Sequence, residues 1–276
     1  MYMLCCKSNI VEENDKYELL DIIGKGQFGS VYKAYRKSDG KIFAIKQSKC
    51  KNILFVNELT FLRKLNYNQI IKLYDTYIKN DRHHLVFDFY SEGDLFNFIL
   101  TENFNENEVK HILINLLKPI LFLKQKKIVH LDLKIENFLV RNKRNFDFVL
   151  IDLGTCKTFE NEEKLYRLKS VTGTKIYAAP EIFDLLYCCK SDVWSLGQIL
   201  VILLTKSRLL YKLSFTQIDL LNEIKKIKNG NKIDLNCYKL LKNIFKIDPK
   251  RRIHLEDIFD SLWLEEYYLS EFNIVM

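Results

Sequence analysis

The sequence is poor in the residues that break or staple a chain. It holds 9 glycines and 3 prolines in 276 residues, too few for a collagen-like, Pro-rich or Gly-rich repetitive protein. Its 7 cysteines (Cys5, Cys6, Cys50, Cys156, Cys188, Cys189, Cys237) are odd in number, and none stands in a C-x-x-C spacing. That pattern argues against a zinc site and for free thiols in a reducing compartment, so an intracellular setting, cytoplasmic or nuclear, is expected. Long apolar runs are missing too: Ile199 to Leu204 is the longest, far below the ~18 residues of a membrane span, and no stable membrane insertion is expected. The apolar start, Met1 to Cys6, is too short for the core of a secretory leader and has no basic residue ahead of it. Tyr2 stands where N-myristoylation needs glycine, and the pair Cys5-Cys6, a type of site that accepts palmitate, carries little information unaided.

What is present describes an ordinary globular chain. Apolar residues make up 48%, charged residues 28% and aromatics 13%, which excludes disorder on a large scale. At roughly 150 residues per domain, the length allows one large domain or two small ones. The net charge of +8 comes from 43 basic and 35 acidic residues spread along the whole chain, without the cluster that a nucleic-acid partner requires.

Residues 17–47 read as strands with turns. Ser30 to Arg36 alternates, Lys37-Ser-Asp-Gly40 makes a hairpin turn, and Lys41-Ile-Phe-Ala-Ile-Lys46 follows. Leu54, Glu58, Leu62 and Leu65 fall near one face of a helix over 53–65, and 70–78 with 83–89 look like a second hairpin. After Ser91-Glu-Gly-Asp94 helices dominate, over 94–100, 106–127, 191–205, 216–227, 236–246 and 255–264. The expected fold class is therefore α+β. A small β-rich part over 17–87 leads through a linker, 88–90, to a larger helical part over 91–264. An extension, 1–16, and a short tail, 265–276, flank them.

Five blocks carry chemistry. Gly24-Lys-Gly26-Gln-Phe-Gly29-Ser-Val31 is a glycine-rich turn whose backbone N–H groups can approach phosphates. A dinucleotide fingerprint would need a helix after it, and Ser30 to Arg36 alternates like a strand instead. Lys46 ends an apolar strand and has Glu58 ahead of it on the next helix, a pair able to hold an ammonium against phosphates. His130-Leu131-Asp132-Leu133-Lys134-Ile135-Glu136-Asn137 packs a proton acceptor, a cation and a metal ligand into one loop. Asp152, at a strand end beside Gly154, suits a magnesium ion, although an Asp opening an ordinary turn looks the same in isolation. Gly173-Thr174 to Ala179-Pro180-Glu181, Asp192-Val-Trp194 and Asp248-Pro249 to Arg252 complete the set. Glu181 and Arg252 can form a buried ion pair, though each taken singly reads as a surface charge.

In this order, over about residues 17–264, the blocks resemble the eukaryotic protein kinase superfamily. The resemblance implies the bilobal kinase fold, with ATP between the lobes and Mg²⁺ as cofactor. Ile23, Gly24, Gly26, Gly29 and Val31 would cover the nucleotide. Lys46 would contact its α/β-phosphates and pair with Glu58. Asp132 would be the catalytic base, Lys134 would assist at the γ-phosphate, and Asn137 and Asp152 would bind Mg²⁺. The backbone of Asp88-Phe89-Tyr90 would read adenine with Phe87 behind it, and Asp94 would bond the ribose. Val31, Ala44, Leu95 and Leu139 would sandwich the base. Leu62, Leu73, His130 and Leu153 would form a hydrophobic column anchored by Asp192. Lys134 and Thr174 point to serine and threonine hydroxyls of a protein substrate. A monomer, open to a regulatory partner, is expected.

The chain also departs from the family pattern. Leu131 replaces the arginine that pairs with a phosphorylated activation segment, so the segment over roughly 155–179 is expected not to be switched mainly by phosphorylation. Leu153 replaces a phenylalanine of similar packing role. The stretch from Lys46 to Glu58 is short, which favours the formed pair. Cys156 near the nucleotide reads as an accessible thiol or, more simply, as a space-filler. Glu136 and Asp94 match positions that contact upstream arginines in basic-directed kinases. The His-Leu-Asp loop is similar to calmodulin-dependent kinases, but the acidic tail after Leu264 does not look like a calmodulin target. Two other readings of the same blocks are a pseudokinase scaffold and a small-molecule phosphotransferase; the latter lacks the segment from Gly173 to Glu181 and its Arg252 partner.

Overall fold

The computed structural model describes residues 11–12, 15–26, 29–49, 52–206, 217–230 and 233–265. Cys5, Cys6 and Cys50 lie outside them. The chain divides into two units, the first running up to Ser91 and including Ile151–Gly154, the second made of Glu92–Leu150 and the residues from Thr155 onward. The return of Ile151–Gly154 to the first unit is a long-range event that no local pattern announces.

Among the described residues the first unit is a six-stranded sheet with one α-helix. Its strands are β1 (Val11–Glu12), β2 (Tyr17–Gly26), β3 (Gly29–Arg36), β4 (Ile42–Lys49), β5 (Leu73–Lys79) and β6 (Arg82–Asp88), in the order β1-β5-β6-β4-β3-β2. β1 pairs in parallel with β5, and every other pairing is antiparallel. The sheet thus begins within the expected extension, at Val11. Alternation sorts the two faces. Ala34, Phe43, Ile45 and Val86, all wholly buried, share one face with Tyr17 and Tyr77. Val31, Ala44, Lys46 and Phe87 lie on the other, through the pairs Val31↔Lys46 and Ala44↔Phe87. Helix α1 (Ile53–Leu62) starts where Asn52 accepts the Leu54 N–H. It is three residues shorter than the apolar spacing suggested.

The second unit is mainly helical. In chain order it contains α2 (Leu95–Thr101), α3 (Glu106–Gln125), β7 (Ile128–Val129), β8 (Phe138–Asn142), β9 (Asp147–Leu150), β10 (Lys157–Thr158), β11 (Tyr166–Arg167), α4 (Pro180–Phe183), β12 (Leu186–Tyr187), α5 (Ser191–Thr205), α6 (Gln217–Asn229), α7 (Leu235–Ile244) and α8 (Leu255–Phe259). α3 opens on a capping box between Asn105 and Glu108. α5 is buried from Ser191 to Leu203, the signature of a helix at the centre of a core. Gly197 lets α7 pass against it: a Cβ there would sit 2.3 Å from Cγ2 of Ile244. Three two-stranded ladders, β7 with β10, β8 with β9 and β11 with β12, brace the loops. Among the described residues no helix is long and apolar enough to cross a membrane. The architecture is α+β, a β-rich unit followed by a larger helical one, as the sequence led us to expect.

Candidate active site

The sheet of the first unit carries a charged triad. Lys46 Nζ lies 2.7 Å from Oε2 of Glu58 on α1 and 3.0 Å from Oδ1 of Asp152. Burial alone would depress the ammonium, but Glu58 and Asp152 outweigh it and hold the Lys46 pKa above its ordinary value. Burial pushes the Glu58 carboxyl up to about 7, with Lys46 opposing and Asp152 reinforcing. Asp152 has a left-handed backbone (φ 61°), uncommon for a non-glycine residue and a form of strain found at functional sites. Beside it, Asn57 of α1 donates to the Gly154 carbonyl at 2.7 Å, so one helix holds both the triad and the turn that follows Asp152.

The glycine-rich hairpin belongs to the same unit. Gly24 pairs with Val31 and Gly26 with Gly29. A Cβ on Gly29 would come within 1.9 Å of the Gln47 carbonyl, so only glycine permits this approach of β3 to β4. Ile23 is about half exposed (48%) at the start of the turn. Phe87 is buried, and Asp88 and Tyr90, half-buried, follow it at the end of β6. Leu62 and Leu153 are buried and Leu73 half-buried in this unit.

The second unit holds the polar loop. Asp132 Oδ1 accepts the Thr174 N–H at 2.7 Å, and its Oδ2 lies 3.1 Å from Lys134 Nζ. Lys134 Nζ in turn donates to Thr174 Oγ1 at 3.0 Å. Asn137 Nδ2 donates to the Asp132 carbonyl at 2.8 Å, which leaves Oδ1 as the atom that could hold a metal. Underneath, the buried carboxylate of Asp192 accepts the N–H groups of His130 (2.7 Å) and Leu131 (2.9 Å). Burial raises the Asp192 pKa, against the opposing pull of His130 and of the two amides. Leu131 is buried with φ at 67°. Gly173 packs on it so closely that a Cβ would meet the Leu131 carbonyl at 2.2 Å. Leu95 is buried and Leu139, half-buried, bridges to Asp94. Asp94 spends Oδ1 on the N-cap of α2, accepting from Asn97 N at 2.8 Å.

The rest of the expected constellation also lies in the second unit. Arg252 grips Glu181 through two bonds of 2.8 Å, with side-chain exposures of 0% and 5%. The segment after Asp152 is held by short ties: β10 on β7, the Tyr187 hydroxyl on the Thr158 carbonyl (2.8 Å), and Tyr166 stacked on Tyr187. Lys124 adds an ion pair to Glu162 at 2.9 Å. Cys156 is wholly buried, so the space-filling alternative is the one the fold uses. Sequence reasoning missed Asn57 and the amide of Thr174, because hydrogen-bond partners far along the chain leave no local signal.

The chain is similar to known proteins. A family model described as "Protein kinase domain" matches residues 17–264. Calcium-dependent protein kinase 4 of Plasmodium berghei (strain Anka) is 31% identical over 281 residues, covering 95% of this chain and 52% of that protein. Calcium-dependent protein kinase 5 of the same organism is 32% identical over 270 residues, 92% and 46% of the two chains. Serine/threonine-protein kinase 33 of Mus musculus is 28% identical over 269 residues, 90% and 55%. The chain spans about half the length of the curated relatives it matches.

Proposed function

This chain belongs to the protein kinase family, and on that premise we propose that it transfers the γ-phosphate of MgATP to serine and threonine hydroxyls of proteins. The observation that carries the reading is the network of Asp132, Lys134, Asn137 and Thr174. Asp132 is held by the Thr174 amide and by Lys134, an arrangement suited to accept a hydroxyl proton at Oδ2 as the hydroxyl oxygen attacks phosphorus. Lys134 neutralises charge on the transferring group, and its contact with Thr174 supports the choice of serine and threonine. Asn137 and Asp152 each offer a hard oxygen donor of the kind magnesium prefers. When bound, Mg²⁺ would screen the phosphate charges. Lys46, fixed by Glu58, would anchor the nucleotide, and the N–H groups of the glycine turn would meet its phosphates.

A preference for basic residues upstream of the acceptor belongs to the same reading. Glu136 Oε2 is buried and has no hydrogen-bond partner among the described residues, a carboxylate oxygen suited to a guanidinium. An intracellular setting is supported by Cys156, Cys188, Cys189 and Cys237, all buried free thiols. The test is transfer of radiolabelled γ-phosphate to a mixed protein substrate by wild type and by Asp132→Asn. Serine or threonine labelling that disappears in the variant supports the reading. Absence of labelling by wild-type protein that still binds ADP would overturn it in favour of a scaffold.

A further inference from the structure

From the edge of the first unit's sheet, we propose that Tyr74 is a positioning residue for the nucleotide, acting through Asp88; this rests on the kinase reading above, in which the Asp88 backbone reads the adenine. β5 and β6 run in register from Lys79↔Arg82 to Asp75↔Val86, and the next pair is Leu73↔Phe87. Tyr74 is therefore the extra residue of a bulge, a device that re-aims a side chain. It sends the Tyr74 hydroxyl to Asp88 Oδ2, at 2.9 Å. Lys41 Nζ stands 3.6 Å from the other oxygen, Oδ1.

The clamp has a rigid base. Asp88 pairs with Phe43 across β4 and β6, so its side chain lies on the Phe43 face, opposite to Ala44 and Phe87. Phe43 is wholly buried, and the Tyr74 ring meets it edge-on at 5.4 Å. Lys41 lies 5.1 Å from both rings. A carboxylate at the last residue of β6 is thereby tied from behind by a phenol and an ammonium. Its peptide groups, at the last pair of the β4–β6 ladder, are held from the Phe43 face, with no contact from the clamp on the face of Ala44 and Phe87. Nothing in the packing of the strand requires this bond: the hydroxyl group sits on the outer side, where water would satisfy it equally well.

Tyr74→Phe removes the bond and keeps the ring on Phe43. The expected result is a rise of about three- to tenfold in the dissociation constant of Mg·ADP by calorimetry and in KM for ATP, with kcat for a generic protein substrate within about twofold of wild type. Asp88→Ala should weaken ADP binding comparably, and the double variant should lose no more than the worse single one, because both remove the same tie. Unchanged ADP affinity in Tyr74→Phe overturns the proposal, as does full additivity in the double variant. A fall in kcat together with a lowered melting temperature also overturns it, since that is the mark of a purely structural tyrosine. Wild-type protein that binds no ADP would remove the kinase reading and this inference with it, whereas wild-type binding with an indifferent Tyr74 removes only the inference.

Discussion

Arg252→Met is the sharpest test of how the helical unit is held together. Arg252 is 1% exposed and donates to both oxygens of Glu181, and also to the carbonyls of Lys190 (2.9 Å) and Lys246 (3.1 Å). Its guanidinium lies 5.2 Å over the Trp194 ring. Methionine fills much of the volume but satisfies none of these acceptors. Glu181 would keep the Ser191 hydroxyl at 2.8 Å as a partner, too little for a buried carboxylate. Removing one partner of such a pair costs about 3–5 kcal/mol, a large share of the ~5–15 kcal/mol that stabilises a domain. Both tryptophans, Trp194 and Trp263, belong to this unit, so urea unfolding followed by their fluorescence reports on it. With a slope near 2 kcal/mol per molar urea, the midpoint should fall by about 1.5–2.5 M. Arg252→Lys keeps the charge without the fork and should fall in between. A shift below about 0.5 M for Arg252→Met, with an unchanged slope, would refute the reasoning and mean that water or a rearranged Lys190 takes over the carboxylate.

Three further outcomes are expected. Glu58, raised from 4.5 to about 7, holds a proton in the folded state that the unfolded chain releases between those pH values, so stability from this group is present at low pH and lost as pH rises through about 7. Thermal melts by circular dichroism should therefore fall less steeply between about pH 5 and about pH 8 in Glu58→Gln than in wild type, and parallel curves would contradict this. Thr158→Ala, Ser170→Ala and Thr172→Ala should each keep most of the kinase activity, because Tyr166, Tyr187 and Lys124 hold the segment and Leu131 offers no guanidinium to a phosphate; a loss of about a hundredfold in any of them would sink that expectation. In Gly197→Ala the new methyl would lie 2.3 Å from Ile244 and 3.0 Å from Phe245, so urea denaturation should show a loss of about 1–3 kcal/mol, and an unchanged midpoint would mean that α7 yields.

Short-range order was legible in the residues. The alternation of Ser30 to Arg36, the helical ranges that became α3 and α5 and the turn at Lys37 to Gly40 were each readable locally, because period and turn chemistry act within a few residues. The same holds for the polar loop: Asp132, Lys134 and Asn137 are brought together by a spacing of five residues. Two-residue ladders such as β11 with β12 were not legible, since two residues carry no period. Nor was the left-handed backbone of Leu131, which runs against the preference of leucine, or that of Asp152, a residue type that tolerates it but does not by itself require it. Motif order did bring Lys46 to Glu58 and suggested Glu181 with Arg252, but only tertiary structure decided the rest. It placed Asp152 on Lys46 across 106 residues and Thr174 on Asp132 across 42. A bond of that reach leaves no trace in local composition, because its partners are chosen by the packing of whole elements, and the cost of burying each charge is met only once that packing is complete.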